Sequence, residues 1–251
     1  MNQCYLSEIY SGIQGEGPLV GVRQIFVRFC ACDLRCIWCD TPESLVRTEY
    51  CELEETCGSR TFSKVQNPIN NIQLLDYINR LEPNIHHSIS LTGGEPLLQV
   101  KFLSSFLPEL KSKAITKIYL EAGGHKPKEL NEIIKYLDYV SMDIKIPSSA
   151  KTRELWNEHQ EFISILIENN VQFWVKLVVT NETLSDEIEH SIDIVKKIIR
   201  GKCEIIIQPV SRINNILPPS EKALLDMHSK LLKIYPNIKV IPQVHKLIGQ
   251  R

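Results

Sequence analysis

The chain has 251 residues, of which 43% are hydrophobic and 24% charged, and its 29 basic and 30 acidic side chains leave a net charge of −1. That profile excludes a disordered or fibrous chain and fits one α/β domain, because single-domain α/β barrels commonly run to about 200–250 residues. Near-neutrality argues against a protein that grips nucleic acid by bulk charge, so no nucleic-acid partner is expected.

No apolar stretch approaches the roughly 18–20 residues of a membrane span, and the opening MNQCYLSEIYSG lacks the basic-then-apolar build of a signal peptide. The expected setting is the cytoplasm, with no membrane partner. In such a reducing compartment, eight cysteines point to metal binding or chemistry before disulfides.

Taken in chain order, the first predicted strand is Arg23–Phe29, directly ahead of a cysteine-rich loop. Residues from about 45 to 70 are polar and aperiodic, and read as an insertion or flexible loop. Ile72–Leu81 is the first predicted helix. Short, nearly continuous apolar runs then alternate with amphipathic ones. The strands are His87–Thr92, Thr116–Ala122, Asp138–Lys145, Gln172–Val179 and Cys203–Val210. The helices are Leu97–Lys113, Pro127–Tyr136, Thr152–Asn170, Ser185–Arg200 and Pro219–Ile234. Pro127 and Pro219 suit the first turn of a helix, and Asn169–Asn170 and Gly201 suit its end. Apolar runs of this kind belong to a parallel sheet covered on both faces. Six βα units with right-handed crossovers point to a parallel α/β barrel or partial barrel in a single domain, with residues from about 212 to 251 as a C-terminal extension.

The sharpest local signal is Cys32-Asp33-Leu34-Arg35-Cys36-Ile37-Trp38-Cys39, three thiols spaced C-x3-C-x2-C just after the first strand. Such a loop can turn three thiolates toward one iron–sulfur cluster and leave one iron open, whereas a structural zinc normally takes four protein ligands. A zinc knuckle completed by Cys30, Cys51 or Cys57 is the competing reading. Location favours the first, since ligand sites of α/β sheets and barrels lie at the C-terminal ends of strands. One unit later comes Thr92-Gly93-Gly94-Glu95-Pro96, in isolation only a Gly-Gly turn before proline.

The two segments together resemble the radical S-adenosylmethionine (SAM) enzymes. The resemblance implies a [4Fe–4S] cluster on Cys32, Cys36 and Cys39, and SAM on its open iron. It puts Trp38 and Asp40 beside SAM, and Gly94 and Glu95 at its methionine end, with Glu95 near the ammonium. Within that superfamily, further segments are similar to the branch that forms 7-deazapurines: Ile13-Gln14-Gly15-Glu16, Arg28, Asp40-Thr41, Ser141 to Lys145, Gln208-Pro209 and Gln243 to Lys246. The similarity spans nearly the whole chain except the insertion. It implies ring contraction of 6-carboxy-5,6,7,8-tetrahydropterin to 7-carboxy-7-deazaguanine with loss of ammonia, SAM being regenerated.

By the same resemblance Thr41 is the Mg2+ position, a hydroxyl suited to a hard cation. Ile13, Gln14, Gly15, Glu16, Arg28, Thr92 and His245 face the pterin, and Asp143, Lys145 and Gln208 face SAM. Each also has a plainer reading: a polar turn for Gln14 and Glu16, a solvated or ion-paired Arg28, a buried structural pair for Asp143 and Lys145, and a surface His245–Lys246. An external donor such as flavodoxin or ferredoxin, and a homodimer, are the family's expectations. Ala31 stands where relatives often have glycine, a change tolerated unless positive φ is required. The segment Glu121 to Gly124 departs from the family pattern, leaving only a weak role for Glu121. Cys51 and Cys57 read as free thiols sooner than as ligands of a second cluster or zinc. The rivals to this function are a glycyl-radical enzyme activase of the same superfamily and a non-catalytic zinc-binding module.

Overall fold

Branched and aromatic runs become strands where both of their faces can be covered. The computed structural model describes residues 2–113, 116–199, 203–213 and 215–251. Its first half runs β1 (Gln3–Cys4), β2 (Leu6–Ile13), β3 (Arg23–Phe29), β4 (Tyr50–Glu54), β5 (Phe62–Gln66), β6 (Ile69–Asn70), α1 (Asn71–Arg80), β7 (Ser88–Gly93), α2 (Val100–Ser112) and β8 (Lys117–Ala122). There follow α3 (Pro127–Ile133), β9 (Tyr139–Asp143), α4 (Pro147–Ala150), α5 (Trp156–Glu168), β10 (Gln172–Val179), α6 (Ser185–Ile198), β11 (Glu204–Pro209), α7 (Glu221–Leu232), β12 (Ile238–Val240) and α8 (Val244–Leu247).

Ten strands form one open sheet in the order β12-β11-β10-β9-β8-β7-β3-β2-β4-β5. The six expected βα strands are β3, β7, β8, β9, β10 and β11, each parallel to the next. This mostly parallel sheet is the expected partial barrel. The C-terminal extension lengthens it, because β12 adds to β11 in parallel.

The stretch from 45 to 70 is not a loop. Its β4–β5 hairpin continues the sheet beyond β2, with β4 parallel to β2 and β5 antiparallel to β4. Its strands are short and partly polar because they sit at an edge, where one face meets solvent. The strand β2, antiparallel to β3, was also not foreseen. Among the helices, Pro127 occupies the first turn of α3 as expected, and Asn170 ends α5 at φ 53°. Pro219 instead precedes the cap of α7, where Ser220 accepts from the Ala223 N–H. The run expected as one helix from Thr152 begins only at Trp156, after Lys151 turns left-handed at φ 56° and closes α4. Gly201 lies outside the described residues.

Along each strand alternate side chains face opposite sides. The outward set, including Ile25, Val27, Ile89, Leu91, Ile118, Leu120, Val175 and Leu177, is buried against the helices in the main core. The inward set changes character from bottom to top. Tyr119, Tyr139, Trp174 and Ile206 pack into an apolar plug with Leu19 and Ile241. Two to four residues further along the same strands the inward positions are Glu121, Asp143, Lys176 and Gln208. The plug is the floor and the polar ring the wall of whatever binds above it.

Candidate active site

Above the plug lies a cavity of about 390 Å³, and every one of the eighteen residues singled out from the sequence lines it. The cluster loop forms one end. Cys32, Cys36 and Cys39 are half-buried, while Cys4, Cys30, Cys51 and Cys203 are buried and Cys57 sits apart against Arg23. Burial raises the Cys32 thiol to about 11 and pushes Cys36 up as well. Their conversion to thiolates therefore falls to the metal that binds them. The loop is tied down at few points: Cys39 N–H donates to Cys36 O (3.1 Å), Ile37 N–H to Ala150 O (3.2 Å), and Arg35 to the carbonyls of Cys32 and Leu34.

The glycine-rich segment supports this loop by backbone contact. Gly94 N–H donates to Phe29 O and Glu95 N–H to Ala31 O, at 2.9 and 2.8 Å. A Cβ on Gly94 would lie 2.2 Å from Ala31 O, so glycine is required there by the chain itself as well as by any ligand. Ala31 adopts φ 75°, the left-handed conformation in which an alanine is strained and a glycine is not. The Glu95 carboxylate is buried and accepts from the N–H groups of Leu97 (3.2 Å) and Gly123 (2.9 Å). Burial raises its pKa, and the bond it accepts from Leu97 caps the turn that precedes α2.

The opposite end is a wired polar network. Glu16 Oε2 receives Lys176 Nζ at 2.5 Å, and Glu16 Oε1 receives Gln208 (3.1 Å) and Gln243 (2.9 Å). Burial acts to raise the Glu16 carboxyl, but the Lys176 ammonium and these hydrogen bonds outweigh it and hold it below its ordinary value. Gln243 also donates to Asp40 (2.7 Å), which pairs with Lys246 at 3.3 Å. Gln14 donates to Gln24 (2.9 Å) and Glu121 (3.0 Å), and Ser90 donates to the same Glu121 oxygen. A Cβ on Gly15 would meet His245 Nδ1 at 2.3 Å, and Gly15 O accepts from Val244 N–H, so the C-terminal segment packs directly on this turn.

Between the two ends, Lys145 pairs with Asp143 at 2.8 Å and lies 4.8 Å from the Trp38 ring centroid, while the Trp38 indole donates to Ser149 (3.2 Å). Arg28, adjacent to Thr92 across the ladder, donates to Glu8 (2.5 Å) and Tyr10 (3.0 Å). Arg251 joins Glu8 to Glu52 of the hairpin, at 2.7 and 2.8 Å. The ion-paired readings of Arg28, Asp143 and Lys145 thus hold within the cavity wall. Among the described residues, one group of three has ligand atoms within 4.8 Å of each other: Glu16, Asp40 and His245. Lys176 and Lys246 already engage its two carboxylates. Thr41 stands beside it, its hydroxyl 4.0 Å from Cys39 Sγ.

Lys176 and His125 were missed from the sequence. His125, with its side chain 3% exposed, pairs with Asp33 of the cluster loop at 2.7 Å. The available signal for Lys176 was its isolation as the one charge in the strand QFWVKLVV.

A mostly parallel open barrel with a three-cysteine loop after its first parallel strand, over a cavity rimmed by a Gly-Gly-Glu-Pro turn, defines the radical SAM class of protein. The sequence profile of the Radical SAM superfamily matches residues 26–195. The chain is 36% identical over 248 residues to a 7-carboxy-7-deazaguanine synthase of Geobacter sulfurreducens, covering 98% of this chain and 97% of that one. It is 34% identical to the synthase of that name from Thermococcus kodakarensis, over 97% of this chain and 98% of its relative. The crystal structure of QueE from Escherichia coli superposes with a TM-score of 0.62 at 19% identity, covering 96% of this chain and 94% of that one, a likeness of fold. The chain belongs to the Radical SAM superfamily and, within it, to the 7-carboxy-7-deazaguanine synthases. No helix among the described residues is long and apolar enough to cross a membrane.

Proposed function

We propose that this chain converts 6-carboxy-5,6,7,8-tetrahydropterin to 7-carboxy-7-deazaguanine with release of ammonia, as a cytoplasmic radical SAM lyase. The observation that carries the reading is the convergence of the three-cysteine loop, the Gly-Gly-Glu-Pro turn and the Gln14–Glu16 segment on one cavity of small-molecule size. The three half-buried thiols suit a [4Fe–4S] cluster that needs a fourth ligand from outside the protein. When bound, the cluster supplies the electron that splits SAM, whose radical removes hydrogen from C6 of the pterin.

The protein's own groups bind and orient. Trp38 offers an aromatic edge for adenine, and Asp143 and Gln208 offer polar atoms for the ribose and methionine of SAM, with Lys145 and Asp40 at the border. Gln14 and the Glu16 carboxylate read the guanine-like edge of the pterin by paired hydrogen bonds, with Ile13, Gly15, Thr92 and His245 around it. Arg28, held in place by Glu8 and Tyr10, receives the substrate carboxylate. Loss of ammonia leaves the overall reaction without net oxidation, so these contacts serve to keep one substrate fixed while its ring rearranges.

Thr41 would offer its hydroxyl oxygen to Mg2+, a hard cation that would help neutralise the substrate carboxylate; the neighbouring Glu16 and Asp40 are already engaged by lysines. Thr41→Ala leaves iron content unchanged and raises the Mg2+ concentration for half-activity about tenfold; wild-type behaviour at limiting Mg2+ removes this role. Arg35 and Ile37 of the cluster loop are exposed, which suits the approach of an external electron donor such as flavodoxin or ferredoxin. A homodimer is the expected assembly. The deciding experiment supplies reconstituted enzyme with SAM, reductant, Mg2+ and carboxytetrahydropterin under anaerobic conditions. Formation of the deazaguanine is expected, and its absence with an intact cluster overturns the reading.

A further inference from the structure

One buried cation stands between the carboxylate assigned to the pterin and the carboxylate assigned to SAM. Lys176 lies in the middle of β10, next to Asp143 of β9 in the parallel ladder, and its side chain is 8% exposed. Its ammonium contacts Glu16 Oε2 at 2.5 Å and Asp143 Oδ1 at 3.2 Å. Among the described residues it is the single cation that reaches both carboxylates. Asp143 in turn holds Lys145 at 2.8 Å, and Lys145 lies over the Trp38 ring. A continuous line of alternating charges therefore runs from Glu16, beside Gln243 and Gln208, to the loop that bears the cluster cysteines.

We propose that Lys176 is a positioning residue that couples occupancy of the pterin end to affinity at the SAM end. This rests on the assignment of Glu16 to the pterin and Asp143 to SAM made above. An ammonium shared between two largely buried carboxylates links them, so that a change at one alters its hold on the other. A pterin seated on Glu16 covers that carboxylate, removes water from the shared pairs, and so strengthens the pull of the ammonium on Asp143. The ammonium then holds Asp143 in one position, and SAM no longer bears the ordering cost of that side chain when it binds. By linkage the effect is mutual: SAM tightens the pterin by the same factor. The lysine makes no contact with the reacting atoms, and its role is exerted through the two carboxylates.

The test measures binding and needs no turnover. Isotope-labelled SAM is titrated by anaerobic equilibrium dialysis into the cluster-loaded protein, with the cluster left oxidised, with and without saturating carboxytetrahydropterin. In the wild type the pterin lowers the SAM dissociation constant by about tenfold, within the usual range of site-to-site coupling. Lys176→Met reduces that factor to about one while iron content stays at the wild-type level, and Lys176→Arg, which keeps the charge, restores most of it. A Lys176→Met protein that weakens both ligands but preserves their ratio marks a merely structural lysine and overturns the proposal, as does a wild-type factor of one. If Lys176→Met fails to fold or to hold iron, Asp143→Asn is read instead: it cuts the line on the SAM side, a factor of one is expected, and a wild-type factor overturns the proposal. A wild-type protein that binds SAM but no pterin at all overturns the functional reading itself, an outcome distinct from intact binding of both ligands without coupling.

Discussion

The two ends of the cavity are built in opposite ways. The cluster loop from Cys32 to Cys39 is half-exposed and held by a handful of backbone hydrogen bonds and by the side-chain contacts of Asp33 with His125 and of Trp38 with Ser149, and one residue at its entrance, Ala31, is in a left-handed conformation. The end around Glu16 is a network in which one carboxylate already satisfies Lys176, Gln208 and Gln243. The first end presents three separate thiols that a metal would draw together, whereas the second is already joined by hydrogen bonds within the folded chain. The lesson is about where each kind of preorganisation is useful. A cluster brings its own bonds to the thiols, whereas a small planar substrate is recognised best by polar groups that do not rearrange.

The largest effect that this contrast implies is at the cluster end. Cys36→Ala abolishes iron binding and turnover together, while the unfolding midpoint of the metal-free protein moves by less than about 0.5 kcal/mol, as for a site outside the core. An iron content near wild type would break the contrast. At the other end, Glu16→Gln removes a charged acceptor of three hydrogen bonds and weakens the pterin by roughly 2 kcal/mol, or about 30-fold, with iron content unchanged. Loss of iron in that variant would show that the ends are not separately built.

The wall behind both ends gives a pH signature. His159 of α5 is fully buried against Gly123 and Lys145, and burial lowers its pKa to about 3 from 6.5. The unfolded chain therefore binds a proton near pH 6.5 that the folded chain refuses. His159 costs the fold nothing above pH 6.5, and stability declines as pH falls from there toward 3, by about 1.4 kcal/mol per unit. Between pH 6.5 and 5 the loss is about 2 kcal/mol, read as the part of the urea-midpoint shift that His159→Leu removes. The smallest effect is at Ala31. Ala31→Gly relieves the left-handed strain against a modest gain in unfolded-state freedom, for a net stabilisation of about 0.5–1 kcal/mol in metal-free melts.

What could be read from the sequence was what is local in it. The C-x3-C-x2-C loop and the Gly-Gly-Glu-Pro turn each carry their chemistry within eight residues, and the six parallel strands announce themselves by continuous apolar runs. That same continuity hid Lys176, because the outward neighbours Val175 and Leu177 and the plug residue Trp174 mask the inward polar position between them. The β4–β5 hairpin was read as a loop because edge strands of five residues, with alternating or half-exposed faces, leave no long periodic signal. The condition set on Ala31 turned out to be met: its φ is 75°, so the departure from glycine carries a conformational cost. Glu95 and Gly94 were legible as site residues, but their contacts with Gly123 and Ala31 depend on strands that sequence spacing alone does not bring together.

The bonds that Glu16 receives from Gln208 and Gln243 span 192 and 227 residues of chain. Glu16 lies ahead of the first parallel strand, and its partners lie on or beyond the last of the six expected ones. The carboxylate of Glu16 therefore lacks these two partners until segments about 200 residues further along the chain have joined the fold. The site is finished only when the strand carrying Gln208 docks and residues 243–246 close over Gly15. Closures of such length are slow steps in folding, so the completed polar end is also a record that the whole barrel has been made.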